Sequence, residues 1–305
     1  MKRMKPLFLS ENEALKDELC RQGFHPALCN HPSILFGERK KGEEMEKTCL
    51  LRLKVYFFKK CIKIGLLNEA KFWLEDALFP IIPYHLPKVE KPKGKLAVYS
   101  VLTGDYDDVH EMLYKEDGVD FLLFTNNPSL KSKTWQVVMV ESDLDDVLLS
   151  REIKMFPEKF LGSYYDMSIY VDAKIEIYGE LSELTRYLGV GKSFAVSRHG
   201  QRNNVKEEIE ACVNMKGVDK NLAQKQYERY IQEGFHDDPP LLECGCLVRR
   251  HDDRELWRLM QAWFEEFKGG IRRDQLSLMP CVSRLHFKGL VVMDGNVWHN
   301  QFFKI

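Results

Sequence analysis

The spacing of apolar residues divides the chain into an amino-terminal helical part and a longer part of mixed texture. In the first part, residues 48–64 and 69–78 carry apolar side chains at helical spacing, which predicts a helical hairpin. After residue 95, short apolar runs alternate with amphipathic segments, a pattern typical of a sheet covered by helices. The predicted strands are 96–102, 120–125, 135–141, 167–171, 174–177, 193–197, 245–249 and 290–293. The predicted helices are 144–156, 181–188, 205–215, 220–234, 254–268 and 274–285.

A proline-rich, charged stretch separates the two parts. Pro80, Pro83, Pro87 and Pro92 stand among lysines and glutamates, and proline at this density cannot continue a helix. The sequence therefore predicts a mainly helical accessory region that ends in a linker, residues 1–94, and an α/β domain, residues 95–305.

Composition and charge exclude several classes of protein. Lys and Arg total 45 against 46 Asp and Glu, so the chain lacks the cation excess of proteins that wrap duplex nucleic acid. Charged residues interrupt every long apolar stretch, and the basic start runs at once into acidic residues, which argues against a membrane span and a secretory signal. The eight cysteines include no C-x-x-C pair and are expected to be reduced and mostly buried. We expect a cytoplasmic protein without nucleic-acid partners; peripheral association with a membrane stays open.

Polar residues follow the first two predicted strands of the α/β domain. Ligands gather at the carboxyl ends of strands in open α/β sheets. Thr103 and Tyr106 flank a glycine turn after the first strand, where Tyr106 could stack on a base, and Thr125 and Asn126 end the second, where they could read a nucleoside edge. A routine glycine connection and an Asn-Pro turn are the alternatives. The glycine fingerprints of dinucleotide oxidoreductases and P-loop enzymes are missing from the sequence.

Asp172 ends another apolar strand and is followed at the second position by Lys174. Strand geometry places both side chains on one side if the strand continues. An acid at such a tip can hold a divalent cation or a sugar hydroxyl, and a simple turn residue is the alternative. The spacing is that of a D-x-D element with lysine at the second acidic position. An ammonium can offset diphosphate charge by itself, which weakens the prediction of a metal.

Cationic side chains precede and follow this strand. Arg151 and Lys154 share one face of a predicted helix and could clamp a diphosphate, although a solvated charged face is the commoner explanation. His199 and Arg202 lie between a predicted strand and a predicted helix, near the helix N-terminus, where anions are stabilised.

Three residues of the carboxyl-terminal third complete the set of candidates. Glu243 leads into a predicted strand and Asp274 opens a predicted helix, where capping alone would explain an acid. His299 is a candidate ligand near the end of the sequence, with a solvent-exposed side chain as the alternative.

Taken in order, these features resemble a glycosyltransferase-like family of bacteria and plants that was long described only as a domain of unknown function and that includes plant proteins linked to seed mucilage. The resemblance covers residues 95–305. It is carried by the following motifs: Gly104-Asp105-Tyr106, Phe124-Thr125-Asn126, Arg151-x-x-Lys154, Tyr170-Val171-Asp172-Ala173-Lys174, Gln226-x-x-Arg229-Tyr230, Glu243-Cys244-Gly245, Arg273-Asp274-Gln275 and Asn300-x-Phe302-Phe303.

The resemblance implies a GT-A fold, the mixed α/β sheet of nucleotide-diphospho-sugar transferases, and a glycosyltransferase acting on a saccharide or lipid-linked saccharide. It implies nucleoside contacts at the first two strand tips and diphosphate neutralisation by the cationic residues named above. Asp172 would bind the donor, or it would bind a Mn²⁺ or Mg²⁺ ion together with His299. Lys174 at the second acidic position leaves open whether a metal is required. Glu243 and Asp274 would serve the acceptor side. A non-catalytic sugar-nucleotide or glycan-binding module and a nucleotidyltransferase are the alternative functions.

Overall fold

The structure is a computed structural model that describes residues 83–105, 108–238, 240–295 and 297–305, with only the backbone of Lys216. The hairpin predicted at residues 48–64 and 69–78 lies outside these residues, and so does Tyr106. Everything described below therefore belongs to the predicted α/β domain and to the last part of the predicted linker.

Seven strands form one mixed sheet in the order β3-β2-β1-β4-β7-β6-β8. β7 runs antiparallel to both of its neighbours, whereas the other neighbouring pairs are parallel. The strands are β1 Leu96–Val101, β2 Asp120–Thr125, β3 Gln136–Met139, β4 Met167–Val171, β6 Phe194–Arg198, β7 Leu242–Arg250 and β8 Leu290–Met293. A second, two-stranded sheet pairs β5 (Glu176–Ile177) with β9 (Phe303–Lys304) in antiparallel fashion.

Helices cover the large sheet. α1 begins after Asp145 because the Asp145 carboxylate accepts the backbone N–H of Leu148 at 2.9 Å, a side-chain cap. The helices are α1 Asp146–Met155, α2 Pro157–Leu161, α3 Val205–Lys216, α4 Lys220–Gln232, α5 Arg254–Gly269 and α6 Asp274–Arg284. Short 3₁₀ helices span Gly162–Tyr164 and Leu181–Tyr187. Among the described residues, no helix has both the length and the apolar composition that crossing a bilayer requires.

The interior strand β1 is buried along its whole length, which shows that both faces of the sheet are covered. Tyr99 joins a hydrophobic cluster on one face, with Leu149 of α1 and Trp263 of α5. Val98 and Ile169 join a cluster on the other face. This arrangement confirms the predicted fold class, a mixed α/β sheet flanked by helices, and it is compatible with a GT-A-type fold.

Most predicted elements of this domain are confirmed, and the differences have local causes. β2, β4 and β8 have the predicted bounds. β7 extends beyond the predicted 245–249 in both directions, because glycine and two cysteines near its start obscure the alternation that identifies a strand. The prediction missed α2 and β9, which are five and two residues long and too short to show a period.

The described part of the predicted linker contains no helix or strand before β1. Its charged residues are mostly exposed, but Tyr84 is buried and its hydroxyl lies 2.7 Å from the hydroxyl of Ser197 in β6. Lys91 Nζ also donates to Ser182 Oγ at 2.9 Å, so this stretch packs on the domain rather than being solvated throughout. All four cysteines of the described residues are buried, as predicted for them.

Candidate functional site

Three candidate side chains meet at one edge of the sheet because of the strand directions. Asp172 follows β4 and His199 follows β6, while Glu243 stands at the start of the antiparallel β7. Backbone hydrogen bonds join these positions: the Asp172 N–H donates to the Gly245 carbonyl at 2.9 Å, and the His199 N–H donates to the Leu241 carbonyl at 2.8 Å. The edge that holds the carboxyl ends of the parallel strands thus also holds the beginning of β7.

A bulge in β7 lies directly at this edge. Val196 pairs with Leu247, but the next residue of β6, Ser197, pairs with Glu243. The residues between Glu243 and Leu247 have no partners in β6, although Cys246 still pairs with Val171 in β4. Bulges of this kind redirect side chains and are common beside active sites. The bulge sets the direction of Glu243 independently of the regular part of β7.

The carboxylates of Asp172 and Asp274 both face the ammonium of Lys154. Lys154 Nζ lies 2.6 Å from Asp274 Oδ2 and 3.5 Å from Asp172 Oδ1, and the lysine is almost fully buried. Arg151 Nε lies 3.4 Å from the same Asp274 oxygen. Arg151 and Lys154 therefore share one helix face, as predicted, and Lys154 reaches Asp172. Lys154 is buried in ion pairs, however, and does not belong to a solvated surface.

Lys154 and Asp274 hold each other in the ionised state. Burial alone would lower the pKa of Lys154, but Asp172 and Asp274 outweigh it and raise that pKa above its usual value. Burial alone would raise the pKa of Asp274, but Lys154 and Arg151 hold it well below its usual range. Asp274 is therefore a permanent carboxylate whose charge is already matched.

Glu243 has the opposite electrostatic character. Burial, followed by the negative charges of Asp172 and Asp274, raises the pKa of the Glu243 carboxyl to about 7. Its Oε1 accepts a hydrogen bond from Gln275 Nε2 at 2.5 Å, and its Oε2 lies 3.1 Å from His199 Nε2. A carboxyl group that titrates near neutral pH can accept or release a proton under ordinary conditions.

His199 and Arg202 lie behind Glu243 rather than on an open helix N-terminus. Arg202 Nε donates a very short hydrogen bond to Glu208 Oε2, and Arg202 Nη2 lies 2.9 Å from His199 Nε2. Glu208 belongs to α3 and is fully buried. The site described so far engages both residues with protein partners, so the predicted anion-binding role for them stays a prediction.

The first two strand tips are tied to the start of α1. The Asn126 amide accepts the Gly104 N–H at 2.8 Å and donates to Asp146 Oδ1 at 2.7 Å, and the Thr103 hydroxyl donates to the Asp146 carbonyl at 2.8 Å. Gly104 has a left-handed φ of 62°, and a Cβ there would lie 2.5 Å from the Asp146 carboxylate. These side chains therefore hold the turn itself.

Thr125 is held inside the turn after β2. Its side chain is fully buried, and its hydroxyl accepts the Asn127 N–H at 3.0 Å. The nucleoside contact expected of it from the sequence stays a prediction. A periodic pattern places Thr125 at a strand tip but does not reveal that its side chain faces inward.

The carboxyl-terminal segment passes beside Asp172. Lys174 is exposed, and its ammonium lies 5.6 Å from the centre of the Trp298 ring. At Gly245, a Cβ would be 3.3 Å from Asp172 Oδ2 and 3.5 Å from a methyl group of Val297. A glycine inside a strand often marks a close approach, here that of β7 to the Asp172 carboxylate and to the end of the chain.

The side chains around Asp172 do not fit a divalent cation. Asp172 Oδ1 accepts the Tyr170 hydroxyl at 2.7 Å and also faces the Lys154 ammonium. Within the described ranges, no group of three His, Cys, Asp or Glu residues could hold a metal ion. His299, the other predicted ligand, is nearly buried beside a backbone bridge to Lys304. Lys174 supplies an ammonium where a D-x-D element supplies a second carboxylate.

Two residues of the site could not be assigned from the sequence. Glu208 is spaced one helical turn from the apolar Val205 and Cys212, so the pattern places it on the buried face, but only the fold shows that it pairs with Arg202. Gln275 follows Asp274 in sequence, but only the fold brings its amide to Glu243.

Comparison with protein families gives a match over most of the α/β domain. A family model described as TOD1/MUCI70, glycosyltransferase-like domain, matches residues 110–304, which is more than half of the chain. The matched range contains both ion-paired cations, the three strand-edge candidates and Asp274, whereas Thr103 and Gly104 precede it. No curated protein matches the chain.

Proposed function

The chain belongs to the TOD1/MUCI70 glycosyltransferase-like domain family, and from this premise we propose that it transfers a sugar from a nucleotide-diphosphate donor to a hydroxyl of a saccharide or a lipid-linked saccharide. Assembly of a surface polysaccharide is the process that such an acceptor suggests. The observation that carries the proposal is the meeting of Asp172, Glu243 and the Lys154 ion-pair cluster at the ligand-binding edge of the sheet.

On the donor side, Asp172 binds a hydroxyl of the ribose or of the sugar. Its side chain is 30% exposed, in contrast to the buried Lys154 that holds it. Lys174, exposed beside Trp298, offsets the charge of the departing diphosphate. Lys154 acts indirectly in this scheme, because its buried ammonium lies 3.5 Å from Asp172 Oδ1 and holds that carboxylate in place.

On the acceptor side, Glu243 is the general base and Asp274 is not. The pKa of Asp274 lies well below its usual range because Lys154 and Arg151 outweigh burial, so this carboxylate is a poor base. The pKa of Glu243 is about 7, and its side chain is 13% exposed. Matching of the pKa to the working pH favours Glu243 for proton transfer.

The reaction balances with these groups alone. The Glu243 carboxylate takes the proton of the acceptor hydroxyl as that oxygen forms a bond to the anomeric carbon. The bond between the anomeric carbon and the diphosphate oxygen breaks, and its electron pair leaves with the nucleoside diphosphate. The side chains of this site supply a base, a hydroxyl-binding carboxylate and an ammonium, and no step needs a metal.

Incubation of the full chain with UDP-sugars and GDP-sugars, with and without saccharide acceptors, tests the proposal. We expect release of nucleoside diphosphate that depends on the acceptor and that falls about a hundredfold or more in Glu243→Gln. Donor binding without turnover on any acceptor would indicate a non-catalytic binding module instead. Formation of pyrophosphate from a nucleoside triphosphate and a sugar phosphate would indicate a nucleotidyltransferase.

A further inference from the structure

The imidazole of His199 is fixed by backbone groups before it reaches any side chain. His199 is 3% exposed, and its Nδ1 accepts the backbone N–H groups of Gln201 and Arg202, each at 3.1 Å. Two donors at one ring nitrogen require that this nitrogen carries a lone pair. The proton of the neutral ring therefore sits on Nε2.

The protonated nitrogen points at Glu243. His199 Nε2 lies 3.1 Å from Glu243 Oε2 and 3.9 Å from the nearer oxygen of Glu208, so Glu243 is its closer carboxylate. The other oxygen of Glu243 accepts from Gln275 at 2.5 Å. One donor from the segment after β6 and one from α6 thus hold the two carboxylate oxygens, which fixes the plane of the carboxyl group.

Glu208 is kept from competing for the imidazole by Arg202. The Arg202 guanidinium makes a very short ion pair with Glu208, and the Cys212 thiol donates to the other oxygen at 3.4 Å. Arg202 Nη2 also lies 2.9 Å from His199 Nε2, but a bond in which Nε2 accepts would leave Nδ1 protonated against two backbone donors. The two backbone donors decide the tautomer.

We propose that His199 is a positioning residue for the reaction: its Nε2–H orients the Glu243 carboxylate towards the acceptor hydroxyl and stabilises the ionised, proton-accepting form of that carboxylate. The inference rests on the proposed function in so far as Glu243 is the base. The sequence suggested that His199 binds the anionic donor, whereas this inference gives His199 a role that acts through Glu243.

The charges around Glu243 explain why such a donor matters. Asp172 after β4, Asp274 of α6 and Glu208 of α3 all disfavour a negative charge on Glu243, and Lys154 of α1 favours it. Together with burial, the acids dominate and raise the pKa of Glu243 to about 7. Removal of the neutral N–H donor would raise this pKa further, because a hydrogen bond to the charged form favours ionisation.

Two substitutions in the full chain distinguish a hydrogen bond that orients Glu243 from a His199 side chain that only fills space. His199→Gln keeps an amide N–H near the position of Nε2, whereas His199→Leu fills a similar volume without a donor. We expect His199→Leu to lower the transfer rate at pH 7 at least tenfold and to move the acidic limb of the pH–rate profile upward by about one unit. His199→Gln should restore most of the rate and the position of the limb, while the KM for the donor stays within about twofold in both variants.

A titration that needs no activity accompanies the kinetics. Carbon-13 NMR of the chain with labelled glutamate carboxyls, assigned by comparison with Glu243→Gln, gives the pKa of Glu243 directly. A higher pKa in His199→Leu than in the wild type supports the inference; equal values overturn it, even if the rate falls. A wild-type chain that transfers no sugar would refute the proposed function, and the titration would still decide whether His199 controls Glu243. If His199→Leu raises the KM for the donor and leaves the acidic limb of the pH–rate profile unchanged, His199 binds the donor and the inference is overturned.

Discussion

Lys154 of α1 and Asp274 at the start of α6 are separated by 120 residues in sequence and by 2.6 Å between Nζ and Oδ2. Both side chains are buried, so each charge depends on the other for compensation. The pair joins two helices beneath the strand tips, and it removes Asp274 from the list of possible bases. Glu243 is left as the acid of this edge whose pKa lies near neutrality.

The buried pair makes a stability prediction. Asp274→Asn should lower the free energy of unfolding by about 3 kcal/mol, because it leaves the Lys154 ammonium with only the more distant Asp172. The double variant Lys154→Met/Asp274→Asn should be more stable than Asp274→Asn, since it removes the uncompensated cation as well. Urea unfolding measures both. Asp252→Asn, at an exposed ion pair, is the control, with a change below about 1 kcal/mol. A double variant less stable than the single one would contradict the assignment.

The raised pKa of Glu243 makes a pH prediction. Glu243 has a pKa of about 7 in the folded chain, above the ordinary glutamate value of 4.5. The folded chain therefore binds more protons between these values, and this residue makes stability fall as the pH rises through that window. Glu243→Gln should be as stable as the wild type at pH 4 and more stable at pH 8, by about 3 kcal/mol. Thermal unfolding at both values checks this. A gap that is the same at the two pH values would show that Glu243 titrates normally.

Asp172 makes a catalytic prediction. Asp172→Asn should lower donor-dependent transfer at least a hundredfold, because the amide cannot replace the carboxylate towards a donor hydroxyl in a charge-matched cluster. The fold should survive, since Lys154 keeps its shorter contact with Asp274. Initial rates with a saturating acceptor test the loss of transfer, and the thermal midpoint tests whether the fold survives. Transfer at the wild-type rate in Asp172→Asn would remove this residue from the site.

The lysine at the second position of the D-x-D element makes a prediction about metals. A chelator should leave the transfer rate of the wild type unchanged within about twofold, because an ammonium occupies the place of a metal-binding carboxylate. Lys174→Asp should lower the rate and make the remaining activity depend on added Mn²⁺. Rates with EDTA and with Mn²⁺ are compared for the two chains, with Lys192→Asp as the charge-matched control away from the strand tip. Loss of wild-type activity in EDTA would contradict the hypothesis that the Lys174 ammonium takes the place of a metal ion.

The strand tips were the most predictable part of the site. Asp172 and the first two tips follow strands whose apolar runs are unmistakable, and β2 and β4 have the predicted bounds. The face shared by Arg151 and Lys154 was also predictable, because helical spacing fixes which residues are neighbours. The burial of Lys154 was not predictable, since a lysine on a charged helix face has the same pattern whether it is solvated or paired with a distant acid.

The sequence by itself determined the fold class, the strands that form the sheet and the set of residues that stand at their ends, because periodicity and turn chemistry are local properties of the chain. Only the tertiary structure decided which of those residues form ion pairs and hydrogen bonds with one another. Antiparallel insertion of β7 beside β4 and β6 brought Glu243 to His199, and packing of α6 near α1 brought Asp274 to Lys154. The role of an ionisable side chain depends on burial and on the charges within a few ångströms, and these come from residues far away in the sequence.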